Sequence, residues 1–226
     1  MVKTFVINLD RRKDRLETLM IPFEWERFAA IDALSMGQPG YVGCLLSHRT
    51  ILKKIRDLKL ESAIIFEDDV ELCDDFENKF NEILKKLPEN WDLLYLGGWN
   101  RTEPEKYCDG LNVVKRVLCM HAYMVRDKFI DTIIEALHST DNIPEKEKKP
   151  EHLKCDVLLA NYLPKGKCFI CDPPLVWQKE GYSDIECQVT NNLHLKDSKK
   201  IAVVVERKFP LDGTTAKITL NNINKK

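Results

Sequence analysis

Three consecutive acidic residues, Glu67, Asp68 and Asp69, follow an apolar run from Ala63 to Phe66. Carboxylates gathered in this way repel one another, and a buried carboxylate without a partner is costly. A divalent cation takes oxygen ligands and keeps positions for the oxygens of a diphosphate, so these residues predict a metal site. Alternate residues of an extended segment face the same way, which puts Glu67 and Asp69 on one side and Asp68 on the other. A solvated acidic turn or a helix cap is an equally open interpretation of the three residues alone.

Two other phosphate chemistries fit the sequence poorly. Haloacid-dehalogenase-type phosphatases carry an aspartate nucleophile at a strand end, where this chain has Glu67, whose longer side chain would misplace the attacking oxygen. No GxxxxGK segment is present, so a P-loop is not expected. Gly97 and Gly98 follow a further apolar run and are either a plain turn or a contact to the substrate.

Composition indicates an ordinary globular protein. The 226 residues are 44% hydrophobic and 31% charged, with a net charge of −1, which gives no strong field for nucleic acid. The chain opens without a secretory signal core, and its longest apolar runs, such as Ile201 to Val205, are too short for a bilayer. The protein is expected in the cytosol or at the cytosolic surface of a membrane. If the chain is viral, the expected location is the host cytoplasm. The eight cysteines include one CxxC pair, Cys168 and Cys171, and are expected to be mostly reduced, buried thiols.

Strands that alternate with helices predict an α/β layered fold with a largely parallel sheet and helices on both faces. Asn8, Glu67 and Gly97 each follow a predicted strand, and such sheets bind ligands beyond the carboxyl ends of their strands. Strands are predicted at Val2–Leu9, Trp25–Ile31, Ser62–Phe66, Trp91–Leu96, Ala122–Val125 and Cys168–Cys171. Helices are predicted at Asp10–Met20 with Asp10 as its cap, Tyr41–Leu58, Phe76–Leu87, Lys128–Leu137 and His152–Leu163, with an exposed loop at Asn142–Pro150.

Several segments in order resemble glycosyltransferase family 25, which includes bacterial lipooligosaccharide glycosyltransferases and collagen galactosyltransferases, with small relatives in large viruses. The resemblance implies a GT-A-type fold with a Rossmann-like nucleotide half, a UDP-sugar donor, Mn²⁺ or Mg²⁺, and inversion at the anomeric carbon. The matching segments are Phe5–Leu9 with Arg11 and Arg15, Ala30–Ala33, Gly43–His48, Ile64–Val70, Asp92–Gly98, Ala122–Val125, Pro174–Val176 with Gln178, and Ser183–Ile185.

The resemblance implies one domain over residues 1–188, with a donor half at about 1–100 and an acceptor half at about 101–188. Residues 189–226 form an extension of uncertain structure. The chain is shorter than the two-domain collagen-modifying members, and 142–150 matches no acceptor signature. The sugar (galactose, glucose or N-acetylhexosamine), the acceptor (a glycan or a hydroxylated side chain) and a possible homodimer stay open.

The resemblance also implies roles for individual residues. Glu67 and Asp69 are predicted metal ligands, and Asp68 a donor contact or a structural cap. Asp156 is the favoured general base, and Asp184 is its rival or a further metal ligand. The predicted donor-binding residues are Asn8, Arg11, Arg15, Asp32, Ser47, His48, Glu67, Asp68, Gly97 and Gly98; each has a structural alternative, such as a solvated helix face for Arg15 or a turn for Asp32.

A second class of function stays open, which is a catalytically inactive nucleotide-sugar-binding or scaffold protein of the same fold. Retained carboxylates at Glu67, Asp69 and Asp184, with Ser47 and His48, favour activity, because a scaffold has no need to keep crowded acids. His121 and His194 are expected to be structural, although either would be able to complete a metal shell.

Overall fold

The structure, a computed structural model, describes residues 2–196. The apolar run at Ile201 to Val205 lies outside the described residues. The strands are β1 (Lys3–Asn8), β2 (Glu26–Ala29), β3 (Ser62–Glu67), β4 (Val70–Leu72), β5 (Leu93–Tyr95), β6 (Trp99–Asn100), β7 (Glu105–Cys108), β8 (Gly110–Val113), β9 (Val117–Leu118), β10 (Ala122–Arg126), β11 (Cys168–Asp172), β12 (Val176–Gln178), β13 (Gly181–Ser183) and β14 (Gln188–Thr190). The α-helices are α1 (Lys13–Glu17), α2 (Gly40–Asp57), α3 (Phe76–Lys86), α4 (Asp127–His138) and α5 (Cys155–Ala160), and short 3-10 turns lie at Leu34–Met36, Glu145–Glu147, Pro150–Leu153, Leu163–Lys165 and Leu193–Lys196.

One eight-stranded sheet organises the fold, in the order β2-β1-β3-β10-β5-β11-β8-β7. Strands β1, β2 and β3 are parallel, but β10 runs antiparallel to both β3 and β5, and β8 runs antiparallel to β11. The prediction of a largely parallel sheet was therefore wrong. A parallel return needs a crossover, usually a helix, and the chain between β5 and β10 contains only the short strands β6 to β9.

Both faces of the sheet are covered, as the continuous apolar runs predicted. Phe5, Ile7 and Ile65 pack on one face in a core shared with α2, α4 and α5. Val6 and Phe66 point to the other face, where α3 and the chain after α1 cover them. Because neighbours in a strand alternate between two buried faces, each strand has to be apolar throughout.

The division of the chain at about residue 100 does not correspond to a boundary in the sheet. Strand β10, from the second half, lies between β3 and β5 of the first half. Residues beyond 188 also take part, since β14 pairs with β13 and the 3-10 turn at Leu193–Lys196 packs on β12.

Two predicted helices are shorter than expected. Helix α1 begins at Lys13, which puts Arg12 and not Asp10 at the N-cap position, and among the described residues no side chain caps it. Asp10 forms an ion pair with Arg27 at 2.5 Å. The predicted helix His152–Leu163 is α5 between two 3-10 turns, interrupted where Lys154 is extended. The segment Asn142–Pro150 is largely exposed, as expected, and contains the 3-10 turn Glu145–Glu147. Within residues 2–196, no helix combines the length and apolar character that crossing a bilayer requires.

Candidate functional site

The acidic cluster, defined as Glu67, Asp68 and Asp69, lies at the edge of the sheet where the parallel strands β1 and β3 end side by side. Strand β10 begins at the same edge, because it runs the opposite way, and the carbonyl of His121 just before it accepts the Glu67 N–H at 2.8 Å. Three strand ends therefore fix the backbone of the cluster, as expected for ligand sites in open α/β sheets.

Asp68 is held inside the protein. One carboxylate oxygen accepts the Asn8 side-chain amide at 2.7 Å, and the other accepts Arg15 at 2.6 Å. Burial raises the pKa of Asp68, while Arg15 and Asn8 oppose the rise. Its contacts with Asn8 and Arg15 are those of a positioning residue.

Glu67 and Asp69 share a neutral neighbour, Gln178, whose side-chain amide lies 3.4 Å from Glu67 Oε2 and 3.5 Å from Asp69 Oδ2. Burial and the negative charge of Glu67 raise the pKa of Asp69 to about 7. Burial opposes ionisation of Glu67 as well, but the hydrogen bond from His48 and the positive charges nearby together outweigh it and lower the pKa of that carboxyl. Like charges held this close push their pKa values apart.

The Asp69 carboxylate has one oxygen that no described residue contacts by a hydrogen bond. Its Oδ1 is fully buried and accepts no hydrogen bond from residues 2–196. Buried polar atoms nearly always have a partner, and an orphaned carboxylate oxygen beside a second carboxylate suits a cation with oxygen ligands. Glu67 and Asp69 therefore fit the predicted metal.

Gln178 reaches the cluster through β12, which pairs with β4 directly after the acidic residues and sets Gln178 opposite Val70. The Lys179 N–H also donates to the Asp69 carbonyl at 2.7 Å. Gln178 belonged to a motif of the family resemblance, but a neutral side chain more than one hundred residues away gave no chemical signal of this contact.

Two adjoining cavities open around the cluster, with volumes of about 560 Å³ and about 110 Å³. Glu67, Asp68, Asp69 and Gln178 line both, so they form one cleft. The larger cavity is also lined by Arg12, Lys154, Asp156 and Tyr182, and the smaller one by Ile7, Leu9, Arg11, Asp32, Ser47, His48 and Asp184.

A network of arginines and acids closes one side of the cleft. Arg11 bridges Asp32 at 2.8 Å and Asp184 at 2.5 Å, and Arg12 bonds Asp184 at 2.7 Å. Burial opposes the charge on Asp184, but hydrogen bonds from Arg11 and Arg12 outweigh it and lower the pKa of this carboxyl. The hydrogen bond from Arg11 also lowers the pKa of Asp32. Arg12 was not predicted, since its neighbours Arg11 and Arg15 carried the family pattern.

Arg15 links the cluster to the hairpin of β13 and β14. One terminal nitrogen bonds Asp68 and lies 3.4 Å from Asp69, and the other donates to the Tyr182 carbonyl at 2.7 Å. The structural alternative for Arg15, a solvated helix face, therefore does not hold.

Two predicted donor contacts, Asn8 and Ser47, have their polar groups engaged within the protein. The Asn8 side chain bonds Arg12, Asp68 and Arg27. The Ser47 hydroxyl donates to the Gly43 carbonyl at 2.6 Å and accepts the Ile31 N–H at 2.8 Å.

This docking of α2 explains Gly43, because a Cβ there would meet the Ile31 carbonyl oxygen at 2.4 Å. Ser47 and Gly43 thus fix α2 against the chain that follows β2.

His48 is buried between Glu67 and Tyr123. Its Nε2 lies 3.1 Å from Glu67 Oε1, and its Nδ1 lies 3.0 Å from the Tyr123 hydroxyl. Burial lowers the pKa of His48, but hydrogen bonds with Cys44 and Glu67 outweigh it and raise the value to about 10. Tyr123 is a fully buried partner of this imidazole.

Of three further predicted residues, Asp156 lines the cleft that the described residues form, whereas Gly97 and Gly98 do not. Asp156 lines the larger cavity, where its oxygens accept the N–H groups of Cys119 at 3.0 Å and Val157 at 2.8 Å. Gly97 and Gly98 are buried outside the lining that residues 2–196 give the two cavities. A Cβ on Gly97 would meet the Val176 carbonyl oxygen at 1.8 Å, so its observed role is close packing under β12.

Comparisons with known proteins identify the relatives of this chain. The family model described as glycosyltransferase family 25 (LPS biosynthesis protein) matches residues 20–133. Procollagen galactosyltransferase 2 of Homo sapiens is 33% identical over 140 residues, which cover 45% of this chain and 22% of that protein. Inactive glycosyltransferase 25 family member 3 of Homo sapiens is 31% identical over 141 residues, which cover 46% and 23%. The match thus spans less than a quarter of the length of these relatives.

A solved structure shares the fold at 11% identity. It is a glycosyltransferase involved in the glycosylation of the major capsid of PBCV-1, with a TM-score of 0.50 over 82% of this chain and 96% of that one. The similarity confirms the GT-A-type α/β class. The sequence match then defines the family: the chain belongs to glycosyltransferase family 25. The matched range includes the acidic cluster, Ser47 and His48, but not Asp156, Gln178 or Asp184.

Proposed function

We propose that the chain is a metal-dependent, inverting glycosyltransferase that moves galactose, glucose or an N-acetylhexosamine from a UDP-sugar to a glycan or a hydroxylated side chain. One observation carries the proposal: Asp69 presents a buried, unpartnered oxygen beside Glu67 in the cleft at the ends of β1 and β3.

Glu67 and Asp69 are the residues that would hold Mn²⁺ or Mg²⁺. When bound there, the ion supplies Lewis-acid stabilisation of the charge that develops on the departing UDP. Asp68 and Arg15 act on the same region as supports, since their ion pair fixes the strand end that presents both acids. Gln178, on β12, contacts both carboxylates through its side-chain amide and so helps to fix their positions.

We place the nucleoside in the smaller cavity and the sugar in the larger one. The smaller cavity combines apolar walls from Ile7 and Leu9 with the carboxylate of Asp32, which suits a base and a ribose hydroxyl. Arg11 and Arg12 border the cleft between Asp32 and Asp184, where a diphosphate would find forked donors.

Asp156 is the better candidate for the general base. It lines the larger cavity together with Glu67 and Asp69, and a carboxylate keeps acceptor capacity after two backbone contacts. Asp184 is a poor base, because its paired arginines lower its pKa and hold both oxygens. We expect the acceptor hydroxyl to approach Asp156 within hydrogen-bond distance.

The test is nucleotide release from a panel of UDP- and GDP-sugars, with and without Mn²⁺. We expect release from a UDP-sugar that depends on the metal, and a loss of about 100-fold or more in Asp69→Asn. The matched control is Asp74→Asn, an exposed aspartate that follows β4 and is not among the described residues that line the cleft, which should keep full activity. Metal-independent release, or full activity in Asp69→Asn, would contradict the metal assignment.

A second candidate is an inactive nucleotide-sugar-binding protein. The chain matches the inactive human relative at 31% identity, close to its 33% with the galactosyltransferase, so similarity alone does not separate the two. A UDP-sugar that raises the melting temperature of the protein without release of UDP would support this candidate. Neither binding nor release with any donor would refute both.

A further inference from the structure

Two thiols and an imidazole meet where α2 packs against α5. Cys44 and His48 lie one turn apart on α2, and Cys155 is the first residue of α5. One potential ligand atom from each lies within 4.8 Å of the other two. We call Cys44, His48 and Cys155 the thiol–histidine cluster.

The distances suit a tetrahedral cation. Zinc binds thiolate sulfur at about 2.3 Å and imidazole nitrogen at about 2.0 Å, which sets two sulfurs about 3.8 Å apart and a sulfur and a nitrogen about 3.5 Å apart. The Cys44 and Cys155 sulfurs are 3.4 Å apart, and all eight cysteines, each within the described range, are free thiols. A shift of a few tenths of an ångström would bring the two sulfurs to the separation that zinc requires.

Glu67 provides a fourth position. Its Oε1 lies 3.8 Å from the Cys44 sulfur and 3.1 Å from His48 Nε2, close to the separations of about 3.5 Å and 3.3 Å that oxygen keeps from sulfur and nitrogen around a tetrahedral ion. This oxygen is distinct from Oε2, which faces Gln178.

The surroundings also orient the histidine as a ligand. Nδ1 lies 3.0 Å from the hydroxyl of Tyr123, which is buried in the core. When Nδ1 donates to that hydroxyl, the lone pair of Nε2 is left for a metal, which is the usual support of a metal-bound histidine. The cluster is reachable, because Cys44 and Cys155 both line the larger cavity.

We propose that Cys44, His48 and Cys155, with Glu67 as the fourth ligand, form a binding site for a thiophilic divalent cation of the zinc class. Binding forms two metal–sulfur bonds, one metal–nitrogen bond and one metal–oxygen bond, and it releases the protons of both thiols and of His48 Nε2 to solvent. The site differs in chemistry from the oxygen pair of Glu67 and Asp69, because thiolates select zinc over Mn²⁺ and Mg²⁺.

The two sites share Glu67, so they are coupled. A zinc-class ion that takes Glu67 Oε1 withdraws charge from the position where Mn²⁺ or Mg²⁺ would bind, and low zinc concentrations should inhibit turnover. This consequence depends on the proposed function, whereas the binding itself does not.

The direct test is a titration of the full chain with Co²⁺, after chelator treatment and in a phosphine reductant. We expect one equivalent to produce the thiolate-to-cobalt absorption of a tetrahedral site, which Zn²⁺ then abolishes. Cys155→Ser should lose roughly half of that absorption, because one of two sulfur ligands is gone, and Cys44→Ser with Cys155→Ser should lose all of it. Cys187→Ser, at an exposed cysteine that is not one of the cluster residues, is the matched control.

X-ray absorption of zinc bound to the unaltered chain gives the ligand set even where a variant fails to fold. We expect two sulfurs at about 2.3 Å with nitrogen and oxygen at about 2.0 Å. A titration without the charge-transfer band, a band that survives in the double variant, or a zinc shell with no sulfur or four sulfurs would overturn the proposal. None of these results depends on transferase activity, so the site and the proposed function can fail separately.

Discussion

Asp68 and Asp69 are neighbours in the chain with opposite surroundings. Asp68 is satisfied by Asn8 and Arg15, whereas Asp69 is crowded by Glu67 and leaves Oδ1 without a partner among the described residues. A satisfied buried carboxylate contributes to stability, while an unsatisfied one is tolerated when a ligand uses it.

We therefore predict that Asp68→Asn costs stability and Asp69→Asn does not. Loss of the Asp68 charge leaves Arg15 short of a partner in a mostly buried position, which should lower the free energy of unfolding by about 2–3 kcal/mol. The neutral amide at position 69 removes repulsion with Glu67, so the metal-free protein should be at least as stable as the original. Urea unfolding in the presence of a chelator measures the free energy of unfolding of both variants. If Asp69→Asn were the less stable variant, Asp69 and not Asp68 would be the supporting residue.

The sequence predicted the acidic cluster because the signal is local. An acidic run directly after an apolar strand is visible in consecutive letters. The contacts of Gln178 and Cys155 with this region are not visible, since they depend on how β12 and α5 return to the cleft. The engagement of Asn8 and Ser47 with the backbone likewise became apparent only in three dimensions.

At the scale of elements, the hairpin of β13 and β14 is tied down by polar contacts from α1 and the residues just before it. Arg11, Arg12 and Arg15 reach Asp184 or the Tyr182 carbonyl. The hairpin itself is mostly exposed, so these contacts, and not a core, hold it beside the cleft.

Asp184→Asn should loosen this hairpin. Loss of a charged acceptor for two arginines should cost about 1.4 kcal/mol locally and accelerate amide hydrogen exchange in residues 181–190 about tenfold. The folded-state pKa of Asp184 lies below its ordinary value of 3.8, so this stability is present above that value and is lost as the pH falls through the lowered one. The accelerated exchange should therefore be fully visible near neutral pH.

Glu186→Gln is the control for that measurement, because Glu186 lies in the same hairpin and its carboxylate is a long 3.9 Å from Lys154. Equal exchange in the Asp184 variant and the unchanged chain would show that the arginines do not hold the hairpin.

Gly97 packs closely against a second element, β12. Gly97→Ala should displace Val176 and with it Gln178, because the new methyl group would overlap the Val176 carbonyl oxygen. We expect a loss of about 1–3 kcal/mol in the free energy of unfolding, as for other overpacked interiors. Gly181→Ala is the matched control, since no atom of the described chain lies within 4 Å of the place a Cβ would occupy there, and it should stay within about 0.5 kcal/mol. Unfolding curves that coincide for the two variants would contradict the packing role of Gly97.

For the molecule as a whole, the α/β class and the two covered faces followed from the sequence, because apolar runs in β1, β3 and β5 are continuous. The direction of β10 did not follow, since periodicity shows that a strand is buried but not which way it runs. Periodicity also does not show which strands lie side by side. The sheet therefore mixes strands from before and after residue 100, where the sequence had suggested a division into two halves.

The place of β10 between β3 and β5 has a consequence for biosynthesis. As the chain leaves the ribosome, β3 pairs with β1, but its other edge stays open until the residues of β10 have also been synthesised. That open edge carries the apolar run from Ala63 to Phe66, the kind of segment that associates with other chains. Vectorial synthesis thus leaves one edge of the strand that presents the acidic cluster open until β10 has been made, and an open apolar edge favours association with other chains.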